Sequence, residues 1–308
     1  MTERKTEREI WAIGGGKGGI GKSFIISSIG STLAMRGKKV VLIDADLGGA
    51  NLHSFLGMSR PKTSLSDFFD KKAPLEDLLV ESGIPNLKLL SGTVNSLSSD
   101  SIKHAQKRKF FHHIKELDAD HILIDLGAGT HFNTIDTFLL ADKMIAVIVP
   151  EMIAIENMYY FLKNVFFRKL VTAMTMAGKK DVVTASWKNR GKLGIETLKQ
   201  LLDYLKGYSE QVEEVITSEL NSFTVNILLN KSKNGKDAQV GHSAKSVCMK
   251  YFGFNAKYVG HVEFDEFVTR STNKRQVYVQ QHPASKTTKQ LDKVIDNLIE
   301  GRQVGMAG

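Results

Sequence analysis

Eight residues near the start of the chain, Gly16-Lys17-Gly18-Gly19-Ile20-Gly21-Lys22-Ser23, constrain the fold more than any other feature. They match the pattern G-x-x-x-x-G-K-[ST] in full. Ile10 to Ile13 before them is short and apolar and reads as a buried strand. Ser23 to Arg36 after them has helical spacing through Phe24, Ile26, Ile29 and Leu33, with Gly37 placed as a C-cap glycine. A strand that turns through glycines into a helix N-terminus is a phosphate cradle. The glycines let successive N–H groups converge, and the helix end adds partial positive charge. Lys22 is then placed for the β- and γ-phosphates of a nucleotide, and the Ser23 hydroxyl for Mg²⁺. The alternative, a glycine-rich turn that binds nothing, does not require all of these residue types in this context.

The rest of the chain reads as short apolar strands alternating with helices. Val40 to Ile43 ends in Asp44, Ile122 to Ile124 ends in Asp125, and Ile145 to Val149 is stopped by Pro150. Leu87 to Leu90, Phe223 to Leu229 and Tyr258 to Val262 complete the strands, and Lys103 to Leu117 reads as a helix burying Ala105, Phe110, Ile114 and Leu117. This alternation predicts an α/β fold, a doubly wound and mostly parallel sheet covered on both faces, formed by one domain over residues 1–308. The glycine- and lysine-rich stretch from Ala177 to Gly194 is expected to loop out between helices. In such a sheet Asp44 and Asp46 leave a strand end beside the phosphate loop, where a carboxylate holds a metal-bound water or orients an attacking one; a turn or capping role is the alternative. Asp125 sits where a magnesium-binding acid belongs, and Gly127 allows a backbone N–H to approach a terminal phosphate. Asn230 ends a strand and is either a turn residue or a reader of adenine.

Composition narrows the class further. The single cysteine, Cys248, excludes an internal disulfide framework and any cysteine-based iron–sulfur site made by one chain alone. Met1 to Glu9 has no apolar core of a signal peptide, and no apolar run is long enough to span a bilayer, so a cytoplasmic protein is expected. The net charge of +9 is uneven: Phe161 to Tyr208 carries ten basic side chains, Lys192, Lys199 and Lys206 among them, against three acids. That stretch is expected to be a basic helical segment at the periphery of the sheet. It faces either a partner, with DNA or an anionic membrane as secondary candidates, or only solvent. A helix from Ile195 would bury Leu198, Leu202 and Leu205. Near the C-terminus Leu291, Val294, Ile295, Leu298 and Ile299 form one apolar face. The basic residues around it are offset by Asp292, Asp296 and Glu300, so the helix is expected to pack on the core rather than on a membrane.

Lys17, a second lysine inside the loop, carries a family resemblance. Lys17-Gly18-Gly19-Ile20-Gly21-Lys22-Ser23 resembles the deviant Walker A motif K-G-G-x-G-K-[ST] of the MinD/ParA class, in which the early lysine reaches the nucleotide of a partner subunit. Asp44-Ala45-Asp46 through Asn51-Leu52 resembles the D-x-D-x-x-x-x-N-L switch I, and Asp125-Leu126-Gly127-Ala128-Gly129 the D-x-G-A-G switch II of the FlhG/FleN-like branch. Pro150-Glu151 with Ile155-Glu156-Asn157 is similar to the P-E-x-x-S-I-E-N stretch of MinD-like proteins, with Ala154 in place of the serine. Asn230-Lys231 resembles the N-[RK] pair whose asparagine reads adenine. The matches run from about Trp11 to Ser285.

The resemblance implies a P-loop NTPase of the SIMIBI type that binds ATP or ADP with Mg²⁺, hydrolyses ATP, dimerises with ATP, and positions a flagellum, a division site or a chromosome-type cargo with an unidentified protein partner. Peripheral attachment to membrane or nucleoid is compatible with it. It places Gly16, Lys17, Gly18, Gly19, Ile20, Gly21, Lys22, Ser23, Phe24, Asp44, Asn51, Gly127, Asn230 and Lys231 on the nucleotide. It places Ser23, Asp46 and Asp125 on the metal, and gives Lys17, Lys22 and Asp46 the catalytic roles. Iron–sulfur carriers of this superfamily use paired cysteines that this chain lacks, so no iron–sulfur cluster is expected. A nucleotide-dependent scaffold with little turnover is the rival function on the same fold.

Overall fold

The computed structural model describes residues 8–46, 49–92, 104–128, 132–233 and 237–305. The first half of the chain runs β1 (Glu9–Gly14), α1 (Lys22–Met35), β2 (Val40–Asp44), α2 (Leu52–Phe55), α3 (Leu65–Lys71), β3 (Val80–Glu81), β4 (Leu87–Leu90), α4 (His104–Ile114), β5 (His121–Asp125), α5 (Phe132–Phe138) and β6 (Lys143–Ile148). Four helices follow before the next strand: α6 (Met152–Met176), α7 (Lys180–Lys188), α8 (Leu198–Lys206) and α9 (Glu210–Ser222). The chain then runs β7 (Thr224–Ser232), α10 (Ala238–Phe252), β8 (Asn255–Glu263), α11 (Glu266–Asn273), α12 (Tyr278–Gln281) and α13 (Lys286–Glu300).

Among the described residues the strands form one sheet in the order β3-β4-β2-β5-β1-β6-β7-β8. Every pairing is parallel except β3 with β4. Alternation along each strand sends side chains to opposite faces. Ile10, Ala12, Ile122, Ile124, Ala146 and Ile148 join the core under α4 to α6, and Trp11, Ile13, Leu42, Leu123, Ile145 and Val147 join the core under α1 and α13. The apolar face of α13 packs inward as expected. Leu291, Val294, Ile295 and Leu298 are buried; Ile299 is left exposed. In α4, Phe110 and Ile114 are buried, as is Leu117 just beyond it. Lys103 and the Ala105 side chain lie outside the described residues.

The basic stretch departs from expectation in three places. Its first part is not peripheral: Phe161, Leu162, Val165, Phe166, Leu170 and Met174 follow helical spacing along α6 and are fully buried against the sheet. Within Ala177 to Gly194, expected as a loop, Lys180–Lys188 is helical. Val183 is buried there, and one turn later Trp187 packs on Phe167 at 5.3 Å, so two apolar residues at i and i+4 anchor the helix. The next helix begins at Leu198 rather than Ile195. Thr197 and Gln200 form a capping box, with Gln200 N–H donating to Thr197 Oγ1 at 3.2 Å and Thr197 N–H to Gln200 Oε1 at 2.9 Å. Leu198, Leu202 and Leu205 are buried as expected, joined by Leu201.

No helix of the described residues is long and apolar enough to cross a membrane. The extra helices rest on an aromatic knot in which Phe166 meets Phe223 at 5.0 Å and Phe254 at 5.4 Å. Phe166→Ala is expected to lower unfolding stability by about 3–5 kcal/mol, through lost burial plus a cavity. A urea titration of the variant against the wild type measures it.

Candidate functional site

The parallel sheet brings three strand ends together. Asp44 is in register with Asp125, and Ile13 with Asp125, so both acids flank the exit of β1 into the glycine loop. The loop then meets close neighbours that only glycine admits. A methyl group on Gly16 would lie 2.0 Å from the Asn157 carbonyl oxygen of α6. At Gly21, with φ of 91°, it would lie 2.3 Å from the Asn230 amide nitrogen. Asn230 Nδ2 donates to the Ile20 carbonyl at 2.8 Å, and Lys231 Nζ to the Gly19 carbonyl at 2.8 Å. Asn230 is not at the end of its strand as expected: β7 runs on to Ser232 through an irregularity at which Lys231 takes a left-handed φ of 56°. That bend aims two successive side chains at the loop.

Lys22 opens α1 and is only 8% exposed, its ammonium donating to the Lys17 carbonyl at 3.3 Å. Burial lowers its pKa from the ordinary lysine value, and Asp125 and Asp46 oppose that shift. Asp125 is pushed up to about 7, by burial first and then by Asp44, while a hydrogen bond with Ser23 and the charge of Lys22 act the other way. Its Oδ1 is buried with no hydrogen-bond partner. A buried carboxylate with an orphaned oxygen, beside a serine hydroxyl and with Asp46 nearby, is the donor set of a hard divalent cation, so Ser23, Asp46 and Asp125 fit Mg²⁺. When bound, that ion would neutralise phosphate oxygens.

Asp44 does other work. Its Oδ1 accepts the Asp46 N–H at 3.2 Å and its Oδ2 the Leu52 N–H at 3.0 Å, and burial raises its pKa to about 6. Both oxygens are spent on holding the loop that carries Asp46, and Asp44 does not line the cavity. Asp46 lies against switch II: a methyl on Gly127 would sit 3.1 Å from its Oδ1. Leu47, Gly48 and Gly129 lie outside the described residues.

A cavity of about 390 Å³ opens over the loop. Gly18, Gly19, Gly21, Lys22, Ser23, Phe24, Asp46, Asn51, Asn230 and Lys231, all candidate site residues, line it. Gly16, Lys17, Ile20 and Gly127 shape the loop and switch around it without lining it. The opposite wall was missed: Phe264, Asp265, Val268, Thr269, Thr272 and Asn273 come from the end of β8 and from α11. The available signal was an acid leaving a strand just before a helix, since Asp265 caps α11 through the Phe267 N–H at 2.8 Å. Lys17 does not line the cavity and pairs with Glu151 of its own chain at 2.9 Å. Of the basic stretch, Arg168 is paired with Asp136 and Lys169 with Glu219, whereas Lys180, Lys188, Arg190 and Lys192 on and after α7 are exposed.

Known proteins resemble this chain in sequence and in fold. Residues 6–174 match the ParA family model described as "NUBPL iron-transfer P-loop NTPase". The chain is 30% identical over 157 residues to the antiactivator FleN of Pseudomonas aeruginosa, covering 50% of this chain and 55% of that protein. It is 35% identical over 144 residues to the septum site-determining protein MinD of Synechocystis sp., covering 46% and 53%. The chain thus spans about half the length of these curated relatives. Among solved structures, MinD of Pyrococcus horikoshii complexed with Mg-ADP superposes with a TM-score of 0.61 at 20% identity, over 94% of this chain and 96% of that one, which shows the fold.

Lys22→Ala removes the buried cation at the phosphate end and leaves Asp125 and Asp46 unopposed. Affinity for a fluorescent ATP analogue is expected to fall about a hundredfold or more, since losing one partner of a buried charge pair costs about 3–5 kcal/mol. Near-normal binding would sink the phosphate assignment.

Proposed function

The chain belongs to the MinD/ParA family of P-loop NTPases, and we propose that it is an ATP-driven switch. It binds MgATP, dimerises around it, hydrolyses it, and so positions a cellular structure such as a flagellum, a division site or a chromosome-type cargo. The observation that carries this reading is a phosphate loop with two lysines of different standing. Lys22 is buried beside the acids, whereas Lys17 is held outside the cavity by an exposed ion pair.

The residues divide the work. Backbone N–H groups of Gly18, Gly19 and Gly21 and the Lys22 ammonium hold the phosphates, and Asn230 fixes the loop and borders the nucleoside end. Asp46, on a loop braced by Asp44, orients the water that attacks the γ-phosphorus as the bond to the β-phosphate oxygen breaks. Gly127, against Asp46, lets switch II sense the γ-phosphate and relax after its release. Lys17 reaches the nucleotide of the partner subunit in the dimer. The Lys17–Glu151 pair is solvent-exposed on both sides, so its opening is no obstacle to that exchange. Light scattering is expected to show a monomer with ADP and a dimer with ATP for the wild type. Asp46→Ala stays dimeric with ATP because binding outlives water activation. If Lys17→Ala dimerises and hydrolyses normally, the role in trans is wrong. A wild type that dimerises without measurable phosphate release is the scaffold instead.

The protein partner is expected at α7 and the turn after it, where Lys180, Lys188, Arg190 and Lys192 are exposed together. Anionic DNA or lipid is the secondary candidate. Changing Lys180, Lys188 and Lys192 to glutamate should leave basal ATPase intact. If the ligand is DNA, wild-type affinity should fall with salt by a slope of about −0.9 per phosphate neutralised, and the triple variant should not be retained in filter binding. No DNA retained by the wild type at low salt eliminates the nucleic-acid version.

A further inference from the structure

The wall that α11 gives the cavity is held by a polar joint behind it. Asp265 spends Oδ1 on the helix cap, while its Oδ2 accepts the Tyr278 hydroxyl at 2.5 Å and faces Thr287 Oγ1 at 3.5 Å. The same hydroxyl lies 3.0 Å from Ser285 Oγ, and Ser285 caps α13 by accepting the Thr288 N–H at 3.1 Å. The Tyr278 ring is 4% exposed and meets Phe24 edge-on, 5.4 Å between centroids at 85°. Phe24 follows Ser23 directly and lines the cavity. One phenol therefore ties together the helix that starts at the phosphate loop, the helix that walls the far end, and the cap of α13. Burial, and then the Asp265 acceptor, raise the pKa of Tyr278, so the hydroxyl keeps its proton and acts as donor to the carboxylate at neutral pH.

We propose that Tyr278 is a positioning residue for nucleotide selection: through Asp265 it sets α11, and with it the nucleoside end of the cavity, while the glycine loop and the residues that brace it set the phosphate end. The proposal rests on the nucleotide reading of the site. Tyr278 does not border the cavity, so it acts only through the residues it holds. A hydrogen bond to a carboxylate is among the stronger ones, and among the described residues the other hydroxyl facing Asp265 Oδ2 is that of Thr287 at 3.5 Å. Without the phenol hydroxyl, α11 keeps its cap but loses its fixed distance from α1. Phosphate contacts survive, whereas contacts that discriminate one base from another loosen.

Calorimetric titration of the full chain with Mg-ADP and with Mg-GDP tests this on Tyr278→Phe, which keeps the ring and its packing on Phe24. Affinity for ADP is expected to fall about tenfold, on the scale of one charge-assisted hydrogen bond, and the preference for ADP over GDP to narrow. Asp265→Asn, whose one amide oxygen can still cap α11 but which then turns an N–H donor instead of an acceptor toward the Tyr278 hydroxyl, should shift both quantities in the same direction. Unchanged ADP affinity in Tyr278→Phe, or equal weakening of both diphosphates, overturns the proposal. A wild type that binds neither diphosphate overturns the nucleotide reading itself, a different outcome from the loss of discrimination.

Discussion

A lysine and an aspartate are buried together, Lys22 at the start of α1 and Asp125 at the end of β5, and most of the site follows from what keeps them there. Neither charge is stable alone in that position. The ammonium is disfavoured by desolvation, and the carboxylate by desolvation and by Asp44 in the neighbouring strand. They are tolerated because each opposes the other's desolvation, and because a short loop returns the start of α1 to the edge where β5 ends. The arrangement is charged, partly unsatisfied and pre-formed. That is a poor way to stabilise a fold and a suitable way to receive a polyanion with its cation.

Holding a glycine loop in one shape requires support from outside it. Here the support comes from the second half of the sheet: Asn230 and Lys231 from β7 grip two loop carbonyls, and the Asn157 backbone of α6 closes on Gly16. The same elements carry the groups exposed at the rim, Glu151 with Lys17 among them. A change at the start of α6 and a change at the phosphate loop are therefore mechanically one event.

The sheet and the phosphate end of the site were legible because their signals are local. Apolar runs of strand length, Asp44 and Asp125 at their ends, and the glycine octet each stand in a few consecutive residues. What was not legible depends on partners distant in sequence. Nothing near Asp44 reveals that its two oxygens accept backbone N–H groups of its own loop. Lys180–Lys188 is rich in lysine and flanked by glycines, and only the packing of Val183 and Trp187 against α6 makes it a helix. The α11 wall is the largest omission. Its residues are ordinary until Asp265 is seen between a cap and a buried phenol. The positive charge of Phe161 to Tyr208 is plain in the sequence but its location is not, since the buried faces of α6 and α8 take parts of that stretch into the core.

The grip of Asn230 on Ile20 spans 210 residues, and this has a consequence for how the protein comes into being. The octet leaves the ribosome early, but the strand that braces it is made only when about three quarters of the chain exists. Closing so large a loop has an entropic cost that only the completed β6–β7 pairing offsets. During synthesis the phosphate loop is therefore an unsupported glycine-rich segment, and competence to hold a nucleotide arrives with the far half of the sheet. The loop thus keeps its shape only in a chain whose later strands have already folded onto it, so the site's geometry is acquired with the sheet and not before it.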